Sequence, residues 1–478
     1  MNTPFYGREE ELQRLKNLLK KKTSSLVVIK GRRRIGKSRL ILEFSKQLKT
    51  LQFTGLPPTE NTTAKTQREY FVQQMERYLG IHGLKSDDWG DIFWHLSKAT
   101  QSNQILIVFD EINWMGSFDD TFLGKLKSAW DLFFKNNPKL LMILSGSMSS
   151  WIDQNILSST GFMGRISLEL TLEELPLNIC NLFWNPKKLI APYEKFKILS
   201  VTGGVPRYLE EIDPDLSAEE NIAHLGFLKG GLLVEEFDRI FSDLFSQRFL
   251  RYKQIVETLA ESTKDLSTIC KAIGLEKSGS ISAYLDDLVE TGYISKTYTW
   301  NISSLKESNL CQFRLKDNYL RFYLKYIEPV RSQIDKGRKV TLPAMTTLMG
   351  LSFETLVINN FKTLYDLLKI NPSEIVHDNP YFQRETKTHR GCQIDYLIQT
   401  KFNTLYVCEI KFSKNPIGLS IVREVKEKID RLVKAKSFSI RPVLIHVNGV
   451  TDEVIESEFF GDIIDFSLLL NPISIAKK

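Results

Sequence analysis

Three groups of residues in this chain have the types and spacing for phosphate chemistry. Gly31-Arg32-Arg33-Arg34-Ile35-Gly36-Lys37-Ser38 fits G-x-x-x-x-G-K-[ST]. The backbone N–H groups of such a loop, with the positive end of the helix that follows, cradle phosphate oxygens. Gly31 and Gly36 bracket the loop, Lys37 would neutralise the β- and γ-phosphates, and the Ser38 hydroxyl would ligate magnesium. Arg39, the next residue, belongs to the same phosphate-facing set. The second group is Asp110-Glu111, directly after the apolar run Ile105-Leu106-Ile107-Val108-Phe109. Asp110 would hold magnesium through water or Ser38, and Glu111 would orient or deprotonate an attacking water. The third group lies near the C-terminus: Glu354, Asp395, Glu409 and Lys411. Three carboxylates and a lysine on one surface make a magnesium site of hard oxygen ligands, the lysine orienting or activating a metal-bound water. The alternative for this group is a charged sheet face with ordinary cross-strand ion pairs.

These residues need particular elements behind them. Ser25–Lys30 reads as a strand before the glycine loop, and Arg39–Phe44 as a helix after it. The run ending at Asp110 reads as a buried parallel strand, whose C-terminal end is where ligands bind in open α/β sheets. A third apolar strand, 139–147, should lie beside the first. Its Ser145 and Ser147 are either γ-phosphate sensors or plain strand-end chemistry. Arg32, Arg33 and Arg34 read as solvated side chains on a loop whose backbone does the binding. In the last domain Gly350–Glu354 starts an amphipathic helix. Strands at 391–398 and 405–411 form a hairpin through a turn at 401–403, which puts Glu409 and Lys411 on one face with Asp395 opposite. A helix at 422–435 and a strand at 442–447 continue that domain.

Between these ends the pattern is helical from 172 to 244, broken at Pro176, Pro192 and Pro206. Three short helices follow (250–260, 266–274, 278–290), then a wing near 292–294, which is a winged helix-turn-helix pattern. Its third helix would meet DNA through Lys277, Ser278, Ser280 and Ser282, while Asp286, Asp287 and Glu290 would repel phosphate; packing between domains is the other reading. The aromatic-rich stretch 313–323 reads as an interdomain core, and 328–339 as a boundary.

Composition sets the frame. A chain of 478 residues is too long for one core and suggests about three or four domains. Its apolar runs are far too short to cross a bilayer, so no membrane partner is expected. The N-terminus lacks a secretory apolar region. The five cysteines and six histidines are scattered, which favours a reduced cytoplasmic setting and argues against a zinc enzyme. A net charge of +7 permits a polyanionic partner without demanding one.

The opening Phe5-Tyr6-Gly7-Arg8-Glu9-Glu10-Glu11-Leu12 resembles the box that begins many AAA+ and related ATPases of the ORC and STAND kind. Gly203-Gly204-Val205-Pro206-Arg207 resembles the Gly-x-Pro element of their helical lid, and Gly161-Phe162-Met163-Gly164-Arg165 the segment before the last core strand. With the loop and the acidic pair, the set resembles the archaeal-type ATPase family, which also occurs in bacteria. The resemblance implies ATP and Mg2+ as cofactors, Arg8 near the adenine, and Pro206 and Arg207 at the nucleotide from the lid. Arg207 equally fits an ion pair with Glu210 or Glu211. Arg165 is an arginine finger across a subunit boundary, a surface arginine or an intramolecular phosphate contact; the first implies a homo-oligomer. Where other members often carry an aromatic residue or Gln after the acidic pair, this chain has Ile112-Asn113-Trp114. The C-terminal pattern (helix Glu, strand Asp, Glu-x-Lys) resembles the PD-(D/E)XK restriction-endonuclease-like superfamily.

The expected fold is therefore α/β: a P-loop AAA+-type parallel-sheet core over 1–171, a helical lid over 172–245, a winged helix-turn-helix over 246–327, a linker over 328–346, and an α/β restriction-endonuclease-like domain over 347–478. The expected function is an ATPase whose nucleotide cycle repositions a magnesium-dependent endonuclease acting on double-stranded DNA. A STAND-like switch or scaffold with a non-catalytic C-terminal domain, and a DNA-binding regulator, are the other two readings.

Overall fold

The computed structural model describes residues 4–471 except 60, 81, 85–86, 102–103, 117, 148, 185–188, 246–248, 388 and 435. The boundary expected at 245/246 and the last residues of the C-terminal domain, 472–478, fall outside the described residues. The chain forms two compact units: Met1–Glu173 with Ile240–Gln247 and Glu290–Gly292, and Glu174–Arg239 with Arg248–Val289 and Tyr293–Lys478.

The first unit is built on an all-parallel sheet. Its strands are β1 (Ser25–Lys30), β2 (Lys49–Thr54), β3 (Ile105–Asp110), β4 (Leu140–Gly146) and β5 (Ile166–Thr171), in the order β2-β3-β4-β1-β5. Side chains alternate between two apolar cores, as a strand covered on both faces requires. One core takes Leu26 and Val28 of β1, Ile107 and Phe109 of β3, and Met142 and Leu144 of β4. Helices Ala64–Leu79, Trp89–Ala99 and Phe122–Leu132 cover it through residues such as Phe71, Phe93 and Leu126. The other core takes Val27, Ile29, Val108 and Ile143, against α1 (Glu9–Leu18) and α2 (Lys37–Ser45). β4 lies directly beside β1, Lys30 pairing with Gly146, so the ends of β1, β3 and β4 meet at one edge.

In the second unit, α3 (Pro192–Thr202) stops at Gly203, whose φ of 55° is left-handed. α4 (Ala218–Gly226) starts with a Ser217–Glu220 capping box. After the helix Leu232–Phe245 come α5 (Phe249–Leu259), α6 (Leu266–Ala272) and α7 (Gly279–Glu290), then the antiparallel pair β6 (Ile294–Trp300) and β7 (Glu307–Leu315). This hairpin is not a free wing. Thr299 Oγ1 donates to Phe382 O (2.7 Å) and Trp300 Nε1 to Gln399 Oε1 (2.6 Å), so its end is docked on the C-terminal sheet. The aromatic stretch is interior: Phe313, Tyr319, Phe322 and Tyr323 are all buried.

The C-terminal sheet contains β8 (Ile375–Gln383), β9 (Cys392–Thr400), β10 (Thr404–Lys411), β11 (Ser439–His446) and β12 (Asp462–Asp465), ordered β12-β11-β10-β9-β8. It is mixed: β10–β11 and β11–β12 are parallel, β8–β9 and β9–β10 antiparallel. The helix carrying Glu354, α8 (Thr346–Asn359), begins before Gly350. It is buried on nearly every side rather than amphipathic, because it is enclosed by α3 and by β10. α9 (Ser420–Arg431) follows β10. One apolar core joins Phe196 and Leu199 of α3, Ala218 of α4, Phe353 and Leu356 of α8, Ile410 of β10 and Val443 of β11.

Candidate functional site

The glycine loop leaves β1 at Gly31, whose φ is 149°; a Cβ there would stand 2.6 Å from Leu172 O. That close approach is why the turn takes glycine. Gly36, at φ 95°, precedes α2. Lys37 is 6 % exposed, and its Nζ donates to Gly31 O (2.8 Å) and Arg32 O (3.1 Å). Burial lowers its pKa, partly offset by Glu111 and then Asp110. The lysine is thus folded onto its own loop, and a phosphate would draw it off those two carbonyls. Ser38 Oγ lies 3.2 Å from Asp110 Oδ2. Arg39 follows in the first turn of α2, half-buried. Arg32 departs from the solvated reading: it is 7 % exposed, because the loop is tucked against the end of β5.

Glu111 has a left-handed φ of 50°, a strained state for a non-glycine residue and one that clusters at functional positions. Ser147 donates to its Oε2 twice, from the backbone N (3.1 Å) and from Oγ (2.9 Å). Ser147 therefore holds the acid that sequence reasoning assigned to water, whereas Ser145 is fully buried. Arg8 donates to Ile35 O (3.3 Å) and to Glu173 O, and pairs with Glu11 (3.1 Å). It braces the loop backbone.

Arg165 is placed differently. The β1–β5 register pairs Leu26 with Ile166 and Lys30 with Thr171, so Arg165 sits beyond the N-terminal edge of the sheet. At about 3.3 Å per residue that is roughly 15 Å from the glycine loop, which corrects the reading of Arg165 as a phosphate contact within its own chain. Its guanidinium instead makes a bidentate pair with Asp131 (2.9 and 2.9 Å). The hydrogen bond from Arg165 is the main reason the Asp131 carboxyl is held down to about 2. Interactions at that range are largely screened, so Arg165→Ala is expected to leave the nucleotide Kd within about twofold; titration with a fluorescent ADP analogue checks this. Pro206 starts a short helix, Pro206–Leu209, in the second unit, and Arg207 pairs there with Glu210 (3.5 Å) and Glu211 (2.5 Å).

The C-terminal cluster forms only in part. Asp395 Oδ2 accepts from Ile410 N (2.8 Å), a bond that ties β9 to β10. Burial first, then the Glu409 charge, pushes the Asp395 carboxyl up to about 7. Glu409 is 2 % exposed. Lys411 Nζ stands 3.1 Å from Glu409 Oε1 and 3.3 Å from Glu424. Glu354 lines a small cavity together with Asp395 and the buried Arg314. A residue missed in the sequence completes the picture: Lys428 Nζ lies 2.5 Å from Glu409 Oε2 and 3.4 Å from Asp395 Oδ1. Burial lowers the Lys428 pKa, but Asp395 and Glu409 outweigh it and the net shift is upward. The signal was present, since Ile421, Val425, Lys428 and Leu432 recur at helical spacing and put a lysine on the inward stripe of α9.

Magnesium fits the two ends differently. At the glycine loop, Ser38 Oγ and Asp110 Oδ2 stand 3.2 Å apart, two hard oxygens of the kind a magnesium ion takes. At the C-terminal cluster the expected ligand set of Glu354, Asp395 and Glu409 does not fit as folded. Among the described residues no three His, Cys, Asp or Glu side chains gather closely enough to hold a metal, and an ammonium bridges the two central carboxylates.

A parallel sheet with this loop and acidic pair at one edge defines a P-loop nucleotide-binding domain. Residues 5–212 match the family described as an ATPase domain predominantly from Archaea, so this part of the chain is an archaeal-type ATPase domain. An uncharacterized protein of Methanocaldococcus jannaschii is 25 % identical over 341 residues, covering 70 % of this chain and 71 % of its own length. Among solved structures, a Walker-type ATPase of Pyrococcus abyssi is similar at 17 % identity and a TM-score of 0.48, covering 67 % of this chain and 96 % of that one. The ORC2 protein of Aeropyrum pernix, in ADPNP-ADP complexes, is similar at 14 % identity and a TM-score of 0.41, covering 70 % and 96 %. No helix among the described residues is long and apolar enough to cross a membrane.

Proposed function

We propose that this chain is an ATP-driven device in which hydrolysis at the glycine loop displaces a single large body carrying a nuclease-type site for double-stranded DNA. The observation that carries this reading is the shared core of α3, α4, α8, β10 and β11. Side chains in one packed core cannot shift independently without opening cavities. Any displacement of residues 174–239, the part of the expected 172–245 lid that belongs to this unit, is therefore handed to the C-terminal sheet as a rigid movement.

In the ATPase half, Lys37 exchanges its two loop carbonyls for phosphate oxygens, and Ser38 and Asp110 hold Mg2+, which supplies charge neutralisation at the β- and γ-phosphates when bound. Glu111, positioned by Ser147, accepts a proton from the attacking water. Arg8 keeps the loop in shape, Pro206 and Arg207 belong to the expected lid, and Arg165, paired with Asp131, takes no part in binding the nucleotide of its own chain. Only contacts that differ between ATP and ADP drive the displacement.

In the C-terminal half, the nuclease reading is supported by residue type and by the placement of Asp395, Glu409 and Lys411 at one end of adjacent strands. Supercoiled plasmid nicking tests it. Glu409→Gln and Lys411→Ala are each expected to lower nicking by roughly 100-fold or more while leaving phosphate release from ATP unchanged. Nicking that survives both substitutions removes the assignment. The second reading, a nucleotide-gated scaffold, is favoured by the lysine bridging the carboxylates. Light scattering with and without a non-hydrolysable ATP analogue separates them, since a scaffold changes its assembly state.

A further inference from the structure

Lys428 belongs to two places at once. Its ammonium bridges Asp395 Oδ1 (3.4 Å) and Glu409 Oε2 (2.5 Å). It also lines a neighbouring cleft of about 440 Å³, together with Arg384, Arg431, Gln312, Gln383 and Gln393. Three cations and the amides of Gln312 and Gln393 share this wall with Asp265, Phe382 and Cys392, while the Gln383 amide is taken up by Arg390 O, Arg431 O and Val433 N. The cationic side suits the charged oxygens of a phosphodiester backbone. Two of those cations already have weak partners, Arg384 with Asp265 (2.9 Å) and Arg431 with Glu427 (3.4 Å), both exposed pairs. Exposed pairs of this kind are worth little and are readily exchanged.

The carboxylate side has its own reason to want a cation. Glu409 is 2 % exposed; Lys411 stands 3.1 Å from its Oε1, and Lys428, the ammonium partner of Asp395, meets the other oxygen, Oε2. Two acids this close and this buried cannot both stay ionised without a counter-charge between them. Lys428 supplies it from α9. A divalent ion and this ammonium cannot occupy the same gap, because the like charges would stand within about 4 Å of each other in a poorly screened site.

We propose that Lys428 is the resident cation of the Asp395–Glu409 pair, and that a phosphodiester strand in the adjoining cleft takes the ammonium and so opens the pair to a divalent cation. This rests on the nuclease-type reading of the C-terminal body and adds its regulation: the acids become a metal site only when DNA is present.

Mn2+ binding to the full, nucleotide-free chain, counted by electron paramagnetic resonance against the Glu409→Gln chain, tests it. The wild-type chain alone is expected to bind no more Mn2+ than Glu409→Gln. With a short DNA duplex it is expected to bind one ion more than Glu409→Gln with the same duplex. Lys428→Met is expected to bind that extra ion without DNA, with affinity raised roughly 100-fold or more over wild type. Should Lys428→Met fold poorly, Lys428→Gln removes the charge and keeps a donor, and the wild-type arms need no change at 428. One extra Mn2+ on the wild-type chain without DNA overturns the proposal, as does a duplex that adds none. Gated Mn2+ uptake without plasmid nicking would leave the resident lysine standing and remove the nuclease reading. Nicking by a chain that takes up Mn2+ without DNA would do the reverse.

Discussion

Lys37→Ala abolishes ATP turnover: phosphate release is expected to fall roughly 100- to 1,000-fold or more, the scale of losing one preorganised charge donor to the transition state. The side chain is buried, its charge is desolvated, and its two hydrogen bonds go to carbonyls of the same loop. None of those contacts holds distant parts of the fold together. The nucleotide-free melting temperature should therefore move little while catalysis collapses, and Lys37→Met, which keeps the volume, should behave the same way. Steady-state phosphate release beside differential scanning fluorimetry checks both halves. A variant that still hydrolyses ATP within tenfold of wild type, on the estimate that a neutral side chain cannot replace the charge, would sink the assignment of this loop. Glu111→Gln offers the complementary signature, nucleotide bound but not turned over, because the acid is held by Ser147 rather than by the loop.

How much of this was legible beforehand depends on how local the determinants are. The glycine loop, the acid pair and the strand beside β1 were readable, because a buried parallel strand is a continuous apolar run and a phosphate loop is a local backbone shape. Strand β2 was not singled out: its burial alternates with exposed Lys49 at one end, and no motif marks it. Arg165 stayed open among three readings, because spacing from β5 cannot tell which end of the sheet a residue reaches until the register with β1 is known. The C-terminal hairpin and its acids were readable from alternation and turn. Their cation was not sought on α9, although the inward stripe held a lysine. The burial of α8 on nearly all sides was beyond reach, since a helix enclosed by partners from far along the chain loses the periodicity that local reasoning uses.

Phe353→Ala is expected to destabilise the second unit by about 3–5 kcal/mol, a large part of the roughly 5–15 kcal/mol that holds a typical domain. Phe353 is fully buried. Its ring meets Phe196 of α3 edge-on at 5.4 Å, Phe412 just after β10 at 5.5 Å, and Phe466 beyond β12 edge-on at 6.0 Å. Truncation leaves a void bounded by the expected lid on one side and the C-terminal sheet on the other. If these are one cooperative body, amides of α3 and of β10 lose hydrogen-exchange protection together and by the same factor. Phe196→Ala, made from the other side of the same contact, should unprotect β10 as strongly as it unprotects α3. Phe353→Leu, which refills most of the void, should recover most of the loss. Two separate unfolding steps, with α3 retaining its protection while β10 exchanges freely, would mean that the apolar core does not transmit displacement, and the coupling of nucleotide state to the C-terminal site would lose its physical basis.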